Sequence, residues 1–504
     1  MNELPNALYD AAATRALDHQ AIHQHSIPGY ELMRLAGREA YRVMRSLWPE
    51  NRQLVVFCGA GNNGGDGYVV AGLAARDGYD VKVIALGEPR TDDANRACND
   101  AIGESDVDGK GRIQVIKDLG TVTSRVLDEG DLVVDAILGT GLSRAPQDGI
   151  AMAIAAINSQ SSPVYSLDIP SGLNADNGNV PGEAVIAQAT STFIGLKIGL
   201  LTGSGPDVVG ELFFHDLDVP AAVYDAIPAI ATRITSDLVK VRLPVRRRCA
   251  HKGDRGHVVL VGGNKGLTGA VRIAARTAAR SGAGLVTAAT RADNAIMVNV
   301  QQPEIMVVGV ETAAELVKAI EGCDAFGIGP GLGLDQWSTT LFDVSIRSSL
   351  PRVIDADALN LLARNPSRDG NWVLTPHPGE AARLLGCTIP EISADRPAAV
   401  REIVRRYGGV CVLKGCGTLI ADEQTLWLCN RGNSGMATGG MGDCLTGLIT
   451  SLLGQKLDPL SAAICGVWLH ARAAELEAAD QAMTGILASD LIPWLRRLLD
   501  DPHD

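Results

Sequence analysis

A glycine-rich segment that contains one aspartate has the composition of a phosphoryl-transfer site. The run Gly-Gly-Met-Gly-Asp at 439–443 leads into an apolar, helix-forming stretch at 448–453. Glycines let backbone amides approach an anion, and a following helix adds the positive end of its dipole. A carboxylate is unfavourable beside phosphate unless it binds a metal or takes a proton from a hydroxyl nucleophile. We therefore predict that Asp443 is a catalytic base; the alternative is an aspartate that only starts a helix.

Polar residues also follow three predicted strands in the first half of the chain. Strand 54–58 runs into Gly-Ala-Gly-Asn-Asn-Gly-Gly-Asp-Gly at 59–67, and a helix is expected over 68–76. Strand 131–138 leads to Gly-Thr-Gly-Leu, and strand 164–168 to Ile-Pro-Ser-Gly. The carboxyl ends of parallel strands converge on one crevice, so the side chains expected to meet there are Asn63, Asp135, Asp168 and Ser171.

The first glycine loop permits two interpretations. Its glycines at 59–64 satisfy G-x-G-x-x-G between a strand and a helix, which is typical of a dinucleotide-binding Rossmann unit, and Glu88 after the next strand could bind the ribose. That motif does not require the neighbouring side-chain oxygens. Ligands for a cation, or for ribose and phosphate hydroxyls, are better matched by Asn62, Asn63 and Asp66.

Length and composition limit the class of protein. The 504 residues predict two domains, and 4% aromatic residues with 56 glycines favour parallel strands, short helices and tight turns. The net charge of −13 disfavours nucleic acid or an anionic membrane as partner, and the basic triplet 246–248 is interpreted as a solvated linker edge. The ten cysteines lack a C-x-x-C pair and are expected to be reduced core residues. No leader or membrane-spanning segment is recognisable, which predicts a cytoplasmic protein.

The second half repeats the order strand, polar glycine loop, helix. Strands predicted at 257–261, 325–328, 353–354, 372–374 and 410–413 each run into such a loop. No G-x-x-x-x-G-K-[ST] occurs, so this is not a P-loop nucleotide site. We place the boundary between the halves near residue 227, in a stretch without a long strand pattern.

The linked motifs of the first half resemble the NAD(P)HX epimerase domain over residues 8–220. The resemblance implies that a potassium ion is held by Asn63, Asp135 and Ser171, and that Asp168 lies at the reacting ring. Because epimerisation at C6 needs an acid/base nearby, Asp168 is our candidate for that role. The resemblance also implies that the hydrated nicotinamide nucleotide lies along two loops. These loops contain Asn62, Asn63, Gly64, Gly65 and Asp66, and Gly139, Thr140, Gly141, Leu142, Ser143, Arg144 and Ala145.

The second half resembles the ribokinase-like fold and, within it, the ADP- or ATP-dependent NAD(P)HX dehydratase over residues 230–500. The resemblance implies that the adenine nucleotide is held by Lys414, Gly415, Cys416, Gly417, Thr418 and Gly442. The residues it places against the hydrate are Ala270, Gly331, Gly333, His377 and Asp443. For His377 taken alone, a helix-start or core histidine is the alternative.

Together these resemblances predict an α/β chain of two three-layer αβα domains. Residues 1–227 would form a Rossmann-like epimerase and residues 228–504 a ribokinase-like dehydratase that repairs hydrated NADH and NADPH. The expected cofactors are K⁺, ADP or ATP, and Mg²⁺, and the expected assembly is a homo-oligomer without nucleic-acid or membrane partners. Two alternatives stay open, namely a vitamin- or sugar-type kinase and a binding scaffold of the kind found in RNA processing.

Overall fold

The chain consists of two compact α/β units. The computed structural model describes residues 4–104, 112–117, 132–142, 144–245 and 247–503. Internal contacts group the chain into Met1–Thr232 and Arg233–Asp504. The boundary expected near residue 227 falls at the end of the short helix Ala221–Ala226, a few residues before this division. Both units are built on mainly parallel sheets, which confirms the predicted fold class.

The first unit alternates strands and helices. Its elements are β1 (Ala7–Leu8), α1 (Ala11–His23), α2 (Gly29–Leu47), β2 (Gln53–Cys58), α3 (Asn62–Arg76), β3 (Asp80–Ala85), α4 (Asp92–Glu104), β4 (Arg112–Ile116), β5 (Leu132–Ala136), α5 (Asp148–Asn158), β6 (Val164–Leu167), β7 (Ala189–Phe193), the 3-10 helix Ile198–Leu200, α6 (Gly205–Val208), β8 (Glu211–His215) and α7 (Ala221–Ala226). A short strand, β9 (Ala231–Arg233), pairs with β1 in antiparallel register at the end of the unit.

The strand order of this sheet creates a crevice. The seven strands follow the order β4-β3-β2-β5-β6-β7-β8, and neighbouring strands are parallel. The chain proceeds outward from β2 to β4 and then returns to the other side of β2 with β5. Loops therefore diverge at the carboxyl ends of β2 and β5, which is where open α/β sheets bind ligands. The register places Asp135 of β5 between Phe57 and Ser166.

Both faces of the sheet are covered. Val56 and Val134 belong to one buried apolar cluster, whereas their neighbours Val55 and Val133 belong to another. Successive strand residues point to opposite faces, so burial of both faces requires the continuous apolar runs seen in the sequence.

The second unit has the same alternation on a longer sheet. Its elements are α8 (Ser236–Lys240), the 3-10 helix Lys252–Arg255, β10 (His257–Val261), α9 (Thr268–Arg280), β11 (Leu285–Thr290), the 3-10 helix Ala292–Asn294, α10 (Ala295–Asn299), β12 (Met306–Gly309), α11 (Ala313–Ile320), β13 (Ala325–Ile328), α12 (Gln336–Ser345), β14 (Arg352–Ile354), α13 (Ala356–Arg364), β15 (Trp372–Leu374), α14 (Pro378–Leu385), α15 (Ile389–Ala394), α16 (Arg396–Tyr407), β16 (Val410–Leu413), β17 (Thr418–Ala421), β18 (Leu426–Cys429), the 3-10 helix Ser434–Met436, α17 (Met441–Gly454), α18 (Pro459–Asp480) and α19 (Leu491–Leu498).

Within this unit the strands follow the order β18-β17-β16-β15-β14-β13-β10-β11-β12. Strands β10 to β16 are parallel, and β17 and β18 add an antiparallel edge. The loops after β13, β14, β15 and β16 consequently open at one edge of the sheet, which brings four of the predicted polar segments together.

Two predicted glycine loops are in fact helical at their ends. Helix α3 begins at Asn62 rather than at residue 68, and α17 begins at Met441. Two of the helical glycines allow close packing: a Cβ on Gly64 would lie 1.9 Å from the Gly59 carbonyl oxygen, and one on Gly447 would lie 2.1 Å from the Ala274 carbonyl oxygen. Low helix propensity is here outweighed by contacts that only a glycine permits.

Three composition-based expectations can be placed in the structure. All ten cysteines are free; Cys411 is buried as expected, but Cys249 and Cys416 are exposed and are not core residues. Of the basic triplet, Arg247 and Arg248 are exposed, and the first arginine lies outside the described residues. Within the described ranges, the helices are too short or too polar to cross a bilayer.

We propose that the second unit folds by itself, because it has its own sheet and its own apolar core centred on α9, α17 and α18. A fragment of residues 228–504 should therefore unfold in one cooperative thermal transition when followed by circular dichroism. The complementary fragment, residues 1–227, is the matched comparison. A broad, non-cooperative melt of the 228–504 fragment would contradict the proposed boundary.

Candidate active sites

The first unit contains a large cavity at the crevice of its sheet. It has a volume of about 710 Å³ and is lined by residues that follow β2, β5, β6 and β7. Among the lining residues are Asn62, Asn63, Asp66, Gly139, Thr140, Gly141 and Asp168. Gly64 and Gly65 are buried in the first turn of α3, behind these side chains. The residues predicted from separate motifs therefore converge on one site.

Asp135 and Ser171 are in direct contact, and Ser171 also contacts Leu138, which lines this cavity. The buried carboxylate of Asp135 accepts hydrogen bonds from the Ser171 hydroxyl at 2.5 Å, the Ser171 amide at 2.8 Å and the Ser166 hydroxyl at 2.9 Å. Burial raises the pKa of Asp135, and these hydrogen bonds oppose that rise. Asp135 thus anchors the loop that carries Ser171.

Asn63 presents an unsatisfied oxygen next to these residues. Its side-chain amide donates to the Leu138 carbonyl at 3.0 Å, and the Leu138 amide donates to the Ser171 hydroxyl at 2.9 Å. The Oδ1 atom of Asn63 is buried without a hydrogen-bond partner among the described residues. A buried polar atom without a partner is costly, and a bound cation would satisfy it.

Asp168 is held by a lysine that the sequence analysis did not single out. Lys197 is buried, and its ammonium donates to the Asp168 carboxylate, to the Thr192 hydroxyl at 3.0 Å and to the Phe193 carbonyl at 3.0 Å. Asp168 has a φ of 64°, which is strained for a residue other than glycine. A lysine inside the apolar run 193–201 was the available sequence signal for this contact.

Two further carboxyl groups line the same cavity. Burial and the nearby Asp168 and Asp18 carboxylates raise the pKa of Asp66 well above its ordinary value. Burial raises the pKa of Asp18 to about 6, with Lys197 opposing and Asp168 adding to the rise. Asp18 comes from α1, and the sequence analysis did not identify it. The cavity therefore holds carboxyl groups in different electrostatic environments.

The predicted loop at 139–145 spans two cavities. Gly139 and Thr140 line the first, and a second cavity of about 650 Å³ is lined by Gly141, Leu142, Arg144 and Ala145. Ser143 lies outside the described residues. Glu88, the alternative ribose ligand, also lines the second cavity and forms an ion pair with Lys117 at 2.8 Å.

In the second unit, Asp443 lies in the first turn of α17. The helix is preceded by Gly440 in a left-handed conformation, and Asp443 is half-buried. Burial raises the pKa of Asp443 to about 7; the Asp355 and Asp357 carboxylates add to the rise, and the Lys414 ammonium opposes it. A carboxyl group with this pKa can accept a proton near neutral pH.

Asp355 organises the residues around Asp443, although the sequence analysis gave it no role. Its buried carboxylate accepts hydrogen bonds from Thr375 at 2.7 Å, Thr446 at 2.8 Å and Lys414 at 3.0 Å. Burial alone would raise the pKa of Asp355, but the Lys414 charge and these hydrogen bonds hold it below its ordinary value. Because it joins the ends of β14, β15 and β16 to α17, Asp355 fixes the geometry of the site.

Lys414 is the cationic centre of this group. Its ammonium lies 3.0 Å from Asp355 and 3.9 Å from Glu380, a second carboxylate that the sequence analysis did not identify. A Cβ on Gly442 would lie 3.4 Å from the Lys414 Nζ, so the start of α17 is adjacent. The segment that follows turns into β17, where the Thr418 hydroxyl donates to the Gly415 carbonyl at 2.9 Å. Cys416 and Gly417 belong to the same turn.

The glycine loop after β13 reaches the same region. A Cβ on Gly331 would lie 3.1 Å from the Cβ of Ala270, which places the loop against the start of α9. The amide of Gly333 donates to the Asp357 carboxylate at 2.8 Å. The charge of Asp357 also raises the pKa of Asp443, so the same carboxylate interacts with the glycine loop and with helix α17.

His377 begins α14, which is the alternative that the sequence analysis left open. Its Nδ1 accepts from the Gly379 amide at 3.0 Å, and its own amide donates to the Glu380 carboxylate at 2.9 Å. Burial and the Lys414 and Arg383 charges lower the pKa of His377. The Nε2 of His377 lies 3.4 Å from the Glu380 carboxylate, and a ligand role of this histidine stays a prediction.

Two family models match the chain, one in each unit. The model described as YjeF-related protein N-terminus matches residues 29–199. The model described as NAD(P)H-hydrate dehydratase matches residues 258–497.

Full-length relatives match both units together. The bifunctional NAD(P)H-hydrate repair enzyme Nnr of Coxiella burnetii is 42% identical over 98% of this chain and 99% of its own length. The Escherichia coli enzyme of the same name is 42% identical over 99% of this chain and 96% of its own length. A solved ribokinase-like superfamily protein from Enterococcus faecalis V583 is 29% identical with a TM-score of 0.50, covering 53% of this chain and 95% of that one.

We expect Asp355→Asn to destabilise the second unit by about 3 kcal/mol, because it leaves the Lys414 ammonium without its closest buried charge partner. Urea unfolding at pH 7, followed by tryptophan fluorescence, measures this loss. The low folded-state pKa of Asp355 means that its contribution is present above the unfolded carboxyl pKa of about 3.9 and is lost as the pH falls through the folded pKa. The difference between variant and wild type should therefore shrink in acid.

The half-exposed Asp343 on α12 provides a matched control, since Asp343→Asn should change stability by no more than about 0.5 kcal/mol. Equal stability of Asp355→Asn and wild type at pH 7 would show that the carboxylate does not organise the site.

Proposed function

Because the chain belongs to the family of bifunctional NAD(P)H-hydrate repair enzymes, we propose a division of the repair between its two units. The protein is an NAD(P)H-hydrate epimerase and dehydratase, which confirms the function predicted from the sequence. Relatives that match both units favour this function over the kinase and scaffold alternatives. The observation that supports the division best is Asp443, with its raised pKa, beside the Lys414–Asp355 pair.

In the second unit, we propose, the C6 hydroxyl of the S hydrate is phosphorylated and then eliminated. Asp443 takes the hydroxyl proton while the oxygen attacks the terminal phosphorus of ADP or ATP, and AMP or ADP departs. The C6–O bond then breaks with its electron pair going to phosphate, and loss of a C5 proton restores the C5–C6 double bond. Hydroxide is a poor leaving group and phosphate a good one, which explains why a dehydratase uses a kinase-like fold.

The contacts around Asp443 support specific roles. Lys414 and the segment Gly415, Cys416, Gly417 and Thr418, with Gly442, are proposed to bind the nucleotide; an ammonium beside a helix N-terminus favours phosphate. Ala270, Gly331, Gly333 and His377 are proposed to face the hydrate. Mg²⁺ commonly binds substrate phosphates and one or two carboxylates, and Asp357, whose charge acts on Asp443, is a carboxylate of this kind. When bound, Mg²⁺ would neutralise phosphate charge.

In the first unit, we propose, the C6 hydroxyl leaves and returns on the opposite face of the ring, assisted by the ring nitrogen. Asp168 is the acid/base, and its ion pair with Lys197 inside the cavity supports this role. The hydrate would lie along Asn62 to Asp66 and the loop after β5. The unpartnered Asn63 oxygen, with Asp135 and Ser171, fits a potassium ion, which would supply positive charge for anionic oxygens.

We also propose a homo-oligomer. The short helix α10 exposes Ile296 and Met297, and Val300 follows them; such adjacent apolar side chains support an association surface. The molecular mass in solution, measured by light scattering, tests this assembly.

The function and the role of Asp443 are tested in one assay, the recovery of reduced-cofactor absorbance from mixed hydrates with ADP, with ATP and with neither. Wild type should recover both epimers only with nucleotide. Asp443→Asn keeps the shape of the side chain but cannot accept the proton, so turnover of the S hydrate should fall by roughly 10²–10⁴-fold.

Epimerisation by Asp443→Asn should equal that of wild type and is the internal control for the amount of active chain, while a thermal melt reports whether the second unit remains folded. If Asp443 only starts a helix, the change removes about 1 kcal/mol or less of capping energy and leaves turnover near wild type. A folded variant that retains more than about a tenth of wild-type turnover would exclude the base assignment.

Replacing potassium with sodium should weaken epimerisation alone, because the proposed cation site belongs to the first unit. The measurement is the rate of R-to-S conversion in matched KCl and NaCl buffers without nucleotide. Dehydration of pure S hydrate by the same sample is the control. Identical conversion rates in the two salts would rule out a functional role for the Asn63, Asp135 and Ser171 site.

A further inference from the structure

The cavity of the first unit contains a second carboxyl group in a position to do chemistry. Asp66 lies on α3, one turn beyond Asn62 and Asn63, and lines the same 710 Å³ cavity as Asp168. The resemblance of the sequence motif suggested only a binding role for Asp66. The electrostatic environments of Asp66 and Asp168 differ in a way that bears on catalysis.

The side chain of Asp168 is held in place by a lysine. An ammonium group has three donors, and those of Lys197 have three acceptors: the Asp168 carboxylate, the Thr192 hydroxyl and the Phe193 carbonyl. With the side chain of Lys197 only 1% exposed, water does not compete for these bonds. The lysine therefore fixes the direction of the Asp168 side chain and places a positive charge against it.

The environment of Asp66 disfavours the charged form of its carboxyl group. Burial and the Asp168 and Asp18 carboxylates raise its pKa well above the ordinary value, and Lys197 opposes this only in part. The positive charge of Lys197 therefore lies against Asp168, whereas burial and two neighbouring carboxylates favour the protonated form of Asp66. Two carboxyl groups that line one cavity in such different electrostatic environments are the arrangement used for paired acid and base catalysis.

We propose that Asp66 is a second catalytic carboxyl group of the epimerase, acting as general acid, with Asp168 as its basic partner and Lys197 as the residue that positions Asp168. This inference rests on the proposed loss and return of the C6 hydroxyl.

Each step balances. The C6–O bond breaks with its electron pair going to oxygen, and the Asp66 proton converts the departing hydroxide into water. The lone pair of the ring nitrogen forms the C6–N double bond at the same time. Water then adds to C6 on the other face, Asp168 takes its proton, and the nitrogen recovers its lone pair. The Asp66 carboxylate formed in the first step is stabilised by the Lys197 charge. A proton passed back from Asp168 to Asp66 restores the starting state.

The pH dependence follows from the need for a protonated Asp66. The rate should fall as the pH rises through the raised pKa of Asp66, because the acid is then ionised. The other charged groups that line the cavity are Arg15, Asp18, Arg90, Asp93 and Lys197. Removal of the Asp66 carboxyl should abolish this alkaline decline, whereas a purely structural role of Asp66 would leave it in place.

The test uses the full-length chain without nucleotide, so that dehydration is silent and R-to-S conversion is followed by chromatography. Asp66→Asn should lower the kcat/KM of epimerisation by roughly 10²–10⁴-fold and remove the alkaline decline. In H₂¹⁸O, incorporation of label at C6 should slow in parallel. Asp80→Asn, which replaces an exposed carboxylate at the start of β3, should behave as wild type.

Lys197 is tested separately as a positioning residue. Lys197→Met should lower kcat, and Lys197→Arg, which keeps the positive charge, should recover part of the activity. A thermal melt followed by circular dichroism reports whether the first unit of each variant remains folded, and dehydration of pure S hydrate with ADP controls for the amount of active chain. Equal activity of the methionine and arginine variants would overturn the positioning role.

The outcomes distinguish a failure of the role proposed for Asp66 from a failure of the proposed epimerase function. If wild type converts the epimers but Asp66→Asn retains more than about a tenth of that rate, Asp66 is not the acid. If the alkaline decline is missing in wild type, the acid assignment is likewise overturned, even where a variant does not fold. A wild-type chain that does not convert the epimers at all would overturn the proposed epimerase function, and this inference with it.

Discussion

A lysine paired with an aspartate that follows a parallel strand is the interaction on which both sites depend. In the first unit it is Lys197 with Asp168, and in the second it is Lys414 with Asp355. Removal of one partner from a buried ion pair costs about 3–5 kcal/mol, because the other charge is left without compensation. Additional hydrogen bonds to the charged groups stabilise each pair, and the same bonds fix the loops around it.

Each pair has a neighbouring carboxyl group whose pKa is raised. Asp66 stands near the first pair and Asp443 near the second, and burial is the largest cause of the rise in both. The ion pair supplies a fixed charge, and the crevice at the strand ends supplies the desolvation. A parallel sheet thus provides a charged and a readily protonated group side by side, which acid–base chemistry at neutral pH requires.

The sequence predicts those site residues that belong to local motifs. Asn63 and Ser171 belong to motifs that directly follow strands, so the topology of a parallel sheet predicts their convergence. Lys197 could not be placed in the same way, because its partner is 29 residues away and the pairing depends on how β6 and β7 lie side by side. The low helix propensity of glycine predicts a loop at the start of α3. Tertiary packing at Gly64 outweighs that propensity, and the segment is helical.

On the proposed mechanisms, both units solve the same leaving-group problem at C6, but with different thermodynamic consequences. In the first unit a proton makes the hydroxyl a leaving group, and because water returns to the ring the exchange is freely reversible and needs no nucleotide. In the second unit a phosphoryl group makes it a leaving group, and the nucleotide supplies the free energy that makes dehydration directional. The reversible site needs an acid and a base at once, hence two carboxyl groups, whereas the phosphoryl-transfer site needs one base beside a phosphate-binding cation. The C6 oxygen receives a proton in the first site and a phosphoryl group in the second. The first site therefore pairs Asp66 with Asp168, whereas the second pairs Asp443 with Lys414.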